Sequence, residues 1–244
     1  MKNQTYLYNN ESAKELESCL SFDYLKEESR VEVVDNGLII PRSGVYDDRG
    51  KYVLLSSEKN EANNDYYIDE NIQYSDESVI YLGYFSQNHW GNFFIDNISR
   101  LWYLLENNLP QIKIVYCGSN NFAPNTFGAS SKNAYRLFEL FGIDKERLID
   151  IRTPIKFRQV IVPQKSFVHW QYYTREYKKI YDFISSKVEL SIPVYDKIYF
   201  TRRQLPMQKE AGEKEFESFF ERNGFKIFAP EKLTLEEQIY LEVV

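Results

Sequence analysis

The sequence predicts an α/β chain in which two β/α series follow a β-rich lead-in. Three observations carry that prediction. From Val79 onward, short apolar runs alternate with amphipathic helical patterns, the rhythm of a parallel sheet with helical crossovers. Ile192-Pro193 interrupts the rhythm, which restarts near residue 194. Ahead of Val79 the apolar runs are shorter and are separated by turn residues.

Residues 1–30 read as an irregular or helical lead-in. Residues 31–34 and 37–41 read as strands around an Asp35-Asn36-Gly37 turn, and 44–46 with 52–55 repeat the hairpin-like pattern. Residues 57–77 are charged and Asn-rich, so a loop is expected. Then come a strand at 79–84, a helix at 89–107, a strand at 112–116 and a helix at 129–141 closed by Gly142. Strands at 148–150 and 159–163 and a helix at 174–187 complete the first series. The second has a strand at 197–201, a helix at 213–222 stopped by Asn223-Gly224, a strand at 225–228 and a helix from Thr234 with a capping-box start.

The composition narrows the function classes. With 244 residues, 43% of them hydrophobic, the chain can fill one or two domains. A net charge of −6 argues against nucleic acid as a partner. Cys19 and Cys117 stand far apart with no metal-ligand spacing, which excludes a disulfide framework and a zinc site as organising features. The N-terminal residues carry no apolar signal region and no apolar run nears a membrane span, so the cytoplasm is the expected compartment, with room for peripheral association at the inner membrane face. Phosphate-loop, dinucleotide, metalloprotease and serine-hydrolase motifs are missing. Asp47-Asp48 and the pair Asp65 and Asp69 lie in polar stretches and make no persuasive metal-bridging DxD motif.

Two places concentrate chemistry. On a helix at about 100° per residue, Asp96 and Arg100 fall within about 20° of His89, opposite a stripe of Phe94, Ile98, Leu101 and Leu105. An imidazole can move a proton, a carboxylate can orient it, and a guanidinium can hold an anion. The plainer reading is a surface ion pair at i, i+4, but Trp90 and Gly91 beside His89 suit a pocket mouth better. The second place is Thr201-Arg202-Arg203, directly after a strand. Open α/β sheets bind ligands at the carboxyl ends of strands, and two arginines there suit a diphosphate; a surface loop is the alternative.

These residues fall into recognisable blocks. The run from His89 to Trp102 is similar to an "HWGHFLLD…RLW" block, and Ile198 to Arg203 to a strand end written "YISR". Gly212-Glu213, Asn223-Gly224-Phe225 and the run from Pro230 to Ile239 follow an "NE…GF…PE.LSLxEQI" order, and Gly44-Val45-Tyr46-Asp47 matches "GGVFD". Over about residues 38–241 this ordered set resembles glycosyltransferase family 61, whose bacterial members are often labelled capsular polysaccharide biosynthesis proteins. Asn92 replaces the second His of the first block, and Gly212 replaces the Asn of "NE". The family continues into a glycine-rich "HGAGLTN" segment, and this chain ends at Val244 before it, which reads as a C-terminal truncation with little activity expected.

The resemblance implies a GT-B architecture of two Rossmann-like domains. Residues 1–190 would form the acceptor-side domain and 194–244 the start of the nucleotide-sugar domain. The implied chemistry is inverting transfer of a sugar from a nucleotide-sugar to a glycan hydroxyl, in capsular or surface polysaccharide synthesis, with no metal or other cofactor. His89 is the candidate base, with Asp96 as its orienter or as an alternative base. Arg100 joins the donor-binding set, Arg202 is the diphosphate clamp with Arg203 second, and Glu213 and Glu237 hold ribose or orient the arginines. The competing reading is a non-catalytic remnant, or a module that binds glycan or a partner protein.

Overall fold

The computed structural model describes residues 23–59, 61–68, 71–85, 93, 97–109, 111–118, 129–169, 171–189, 193, 195–204 and 212–243. Its strands are β1 Asp23–Leu25, β2 Val31–Asp35, β3 Leu38–Ile40, β4 Gly44–Tyr46, β5 Gln73–Phe85, β6 Lys113–Gly118, β7 Leu148–Asp150, β8 Ile155–Pro163, β9 Phe167–Val168, β10 Tyr172–Thr174, β11 Ile198–Phe200 and β12 Lys226–Phe228. The helices are Trp102–Glu106, Ala129–Leu140, Arg175–Ser186, Glu213–Arg222 and Leu235–Val243. The chain is therefore mixed α/β.

The chain divides into two compact units. One is formed by Met1–Ala123 with Asp144–Ile180, the other by Pro124–Ile143 with Tyr181–Val244. This differs from the 1–190 and 194–244 division expected from the Ile192-Pro193 break. Side-chain partners explain it: Arg136 on the helix Ala129–Leu140 donates to Glu236 at 2.6 Å, and Phe141 packs on Phe183 with ring centroids 4.9 Å apart.

The first unit is built on a sheet of order β4-β3-β8-β5-β6-β7, with β2 also on β8. Strands β8, β5, β6 and β7 are mutually parallel. In chain order they run 3-2-1-4 across the sheet, the first four positions of a doubly wound sheet, and the switch point lies between β5 and β8. Val79, Tyr81, Val115, Val160 and Val162 are buried in one core cluster, and the alternating Ile80, Leu82, Ile114 and Ile161 are buried as well. Both faces are thus covered, as a parallel sheet requires.

Two expectations for the lead-in change. β2 and β3 do not form a hairpin with each other. They lie end to end along the long β8, and Asn36 turns between them by donating its N–H to Arg158 O at 2.8 Å. The hairpin is β3 with β4. Tyr52 makes only one bridge to Tyr46, and Leu54–Ser56 is a 3-10 turn instead of a strand.

The expected helix at 89–107 also changes. Among its described residues Phe93 is helical, Asn97–Arg100 form a 3-10 turn and Trp102–Glu106 a short helix. The angular argument at 100° per residue therefore fails across 97–100.

In the second unit β11 and β12 pair in parallel, joined by the helix Glu213–Arg222. That helix ends as Asn223-Gly224 implies: Gly224 N donates to Glu221 O and Phe225 N to Phe220 O, both at 3.0 Å, in a Schellman arrangement. Phe225 and Phe220 close it with rings 4.9 Å apart.

Candidate functional site

At the carboxyl ends of β5 and β8 the first unit holds two buried cations against one half-buried carboxylate. Arg100 is 1% exposed, and its five N–H donors meet five acceptors. Nε bonds Pro163 O at 3.0 Å; the two terminal nitrogens bond Leu82 O at 3.3 Å, Glu58 Oε1 at 3.4 Å, Leu55 O at 2.9 Å and Ser57 O at 3.1 Å. Lys165, also buried, donates to Glu58 O at 3.1 Å and to Glu58 Oε2 at 3.2 Å. Burial alone would push the Glu58 carboxyl up, but Lys165, Arg100 and the Tyr84 N–H at 3.0 Å outweigh it and hold it below the usual carboxylate value.

A bulge in β5 makes room for this cluster. Tyr81 pairs with Val115 and Tyr84 with Cys117, so Leu82 and Gly83 together face one residue of β6. The extra residue releases Leu82 O to Arg100 and Tyr84 N to Glu58. Gly83 has φ +100°, and a Cβ there would lie 2.4 Å from Glu58 Oε1 and 2.5 Å from an Arg100 nitrogen. Only glycine fits.

Arg100 therefore does not present an exposed anion-holding face. Asn97, Ile98, Ser99, Arg100, Leu101 and Trp102 are all buried. Asn97 donates to Tyr84 O at 2.7 Å, and Trp102 Nε1 to Gln164 O at 2.8 Å. This segment fastens itself between the ends of β5 and β8. The expected catalytic pair, His89 and Asp96, lies outside the described residues. Glu58 and Lys165 were not singled out by sequence. Glu58 is one acid in a charged loop and gave no signal; Lys165 sits two residues past a strand end, where position alone could have marked it.

In the second unit the expected strand-end group is assembled. Glu213 Oε1 accepts from Tyr199 OH at 2.9 Å, Arg202 N at 2.9 Å and Thr201 Oγ1 at 3.1 Å. Thr201 Oγ1 is also 2.6 Å from Glu217 Oε1 and accepts from Arg203 N at 3.2 Å. Arg203 pairs with Glu217 at 2.8 Å. The Arg202 N–H first, then the Tyr199 hydroxyl, hold the Glu213 carboxyl below its usual value; the Thr201 hydroxyl first, then Arg203, do the same for Glu217. Glu213 begins its helix behind Gly212 at φ +87°, which is how the loop turns back onto the strand end.

Glu237 has a different place. It accepts from Thr234 N at 2.8 Å and Thr234 Oγ1 at 3.1 Å, while its own N–H donates to Thr234 Oγ1 at 3.2 Å. That is a capping box. Among the described contacts none joins Glu237 to Arg202 or Arg203.

Asp47 serves a turn, accepting from Arg49 N and Lys51 N, and Asp65 accepts from Tyr52 N. Among the described residues no group of three or more His, Cys, Asp or Glu is placed to hold a metal ion, and no helix is long and apolar enough to cross a membrane.

The family model Glycosyltransferase 61 matches residues 90–241. The chain belongs to glycosyltransferase family 61. Comparison with curated proteins and with solved structures gives no match. The matched segment includes the buried Arg100-Leu101-Trp102 anchor and the strand end at Arg202. As a glycosyltransferase the protein needs a donor and a glycan acceptor.

Proposed function

We propose that this family 61 glycosyltransferase moves a sugar from a nucleotide-sugar to a glycan hydroxyl with inversion, in capsular or surface polysaccharide synthesis, between two domains of GT-B type. The observation that supports it best is the strand end after β11. Glu213 fixes the Arg202 backbone and Glu217 fixes Arg203, so two guanidinium groups stand beyond a strand's carboxyl end. In this reading His89, oriented by Asp96, takes the proton of the acceptor hydroxyl. The hydroxyl oxygen forms the new bond to the anomeric carbon, and the bond from that carbon to the diphosphate breaks. The electron pair leaves on the nucleoside diphosphate, whose growing charge Arg202 and Arg203 neutralise.

Calorimetry with UDP, GDP, dTDP and CMP tests the clamp. In a protein that carries the family's "HGAGLTN" segment we expect at least one to bind, and Arg202→Lys to weaken it about tenfold, because lysine keeps the charge and loses the two-pronged geometry. Equal affinity in the two proteins removes Arg202 from the site. In a transfer assay on a protein that carries the family's "HGAGLTN" segment, His89→Ala is expected to lower turnover by about 10²–10⁴ with donor affinity kept; parental turnover makes His89 structural.

A further inference from the structure

A cavity of about 280 Å³ opens in the first unit beside the Glu58 cluster. Its lining grades from buried Tyr81, through half-buried Tyr52, Tyr84 and Ser43, to exposed Asn63. Glu58 lines it too, with about a third (32%) of its side chain exposed. The volume is near the lower end of small-ligand sites, about 300 Å³, and suits one sugar ring better than a nucleotide.

The chemistry points the same way. A pyranose offers hydroxyls in every direction and a C–H face that packs on aromatic rings. Tyr52 and Tyr84 supply ring surface, and Ser43, Asn63 and Glu58 supply polar groups. Ser43 and Asn63 are already positioned: Asn63 Nδ2 donates to Ser43 Oγ at 2.8 Å, and Ser43 Oγ lies 2.6 Å from Tyr46 OH. Arg100 and Lys165 face Glu58 and backbone carbonyls, which leaves a carboxylate toward the cavity.

The walls are also held still. Gly44 has φ +124°, and a Cβ there would come 2.7 Å from Ser56 Oγ and 2.9 Å from the Tyr52 ring. Ser56 Oγ in turn accepts from Val45 N at 2.9 Å and donates to Val53 O at 2.7 Å. Arg42 holds φ +64°, a left-handed conformation that costs a non-glycine residue about 1 kcal/mol or more and persists where surroundings enforce it. All the lining residues precede residues 90–241.

We propose that this cavity is an acceptor subsite that takes one hexopyranosyl unit of the glycan. The proposal rests on the reading above that the acceptor is a glycan. Saturation-transfer NMR on the full chain tests it, with methyl α-glucopyranoside, methyl β-galactopyranoside and the methyl β-glycoside of N-acetylglucosamine as probes. We expect transfer to at least one probe. Ala62→Trp, at an exposed position on the cavity edge, should abolish the signal, and Asn63→Ala should weaken it at least threefold, with unchanged thermal unfolding in both. No transfer to any probe, or transfer undiminished in Ala62→Trp, overturns the proposal. Nucleoside diphosphates titrated in parallel into the protein that carries the "HGAGLTN" segment separate the two readings: failure to bind them sinks the clamp at Arg202 and leaves the glycoside signals to decide the cavity.

Discussion

Glu58 pairs with two buried cations, and its removal should be felt well beyond the loop that carries it. Glu58→Gln removes the carboxylate that Arg100 and Lys165 share, and about 3 kcal/mol of stability should be lost, the low end for breaking a buried ion pair because the site is partly open. Urea midpoints of the two proteins check this. The pH dependence has a definite sign. The folded carboxyl titrates below its ordinary value of 4.5, so its contribution is complete above that value and fades as pH falls through the lower folded one. The parent should therefore lose stability more steeply than Glu58→Gln from about pH 4.5 downward. Gly83→Ala should cost about 2 kcal/mol or more, since the atoms its Cβ would meet are pinned by several hydrogen bonds each. At this scale the sequence was least informative. Helical spacing put Arg100 beside Asp96 on one face, but the 3-10 turn and five carbonyl and carboxylate acceptors took the guanidinium inward.

Elements were far more legible, because their signals are local. Gly142 at φ +69° and Gly224 at φ +80° end helices where a left-handed residue is needed, and the Thr234-to-Glu237 spacing forms the expected cap. Thr234→Ala should loosen the helix Leu235–Val243 by about 1 kcal/mol, seen as faster amide exchange confined to that helix. Glu237→Gln should preserve both that protection and nucleoside diphosphate affinity, since glutamine fills the same capping position. Elements set by distant partners were misjudged. β2 and β3 looked like a hairpin because Asp35-Asn36-Gly37 is turn chemistry, yet both strands follow the edge of β8, more than a hundred residues later in the chain. The strand end after β11 was legible because both of its halves are local, an arginine pair after a short apolar run and an acid at a helix start.

At the scale of the molecule the two units differ in how their sheets are covered. Ile80, Val160, Val162 and their neighbours are fully buried, while every residue of β11 is half-buried and Lys226 of β12 is exposed. Two-stranded sheets with partial cover open at lower free energy. In native-state hydrogen exchange the amides of Ile80 and Val162 should exchange only with global unfolding, and those of β11 and β12 at least about 100-fold faster. Equal protection would show that the second unit is as cooperative as the first. The division into units was not legible, because the helix Ala129–Leu140 belongs by sequence order to the first β/α series and by its Arg136 and Phe141 partners to the second unit.

The bulge at Leu82-Gly83 has a consequence for descent. Deleting Gly83 would leave Tyr84 opposite Cys117 and facing as it does now, so the strand itself would survive the loss. What would vanish is the gap that admits one acid and one guanidinium. An insertion that the sheet can do without, but the charges cannot, should be inherited together with them. Among homologous chains, those one residue shorter at this point should also have replaced the counterparts of Glu58 and Arg100, and a shorter chain that kept both would show that some other feature makes the room.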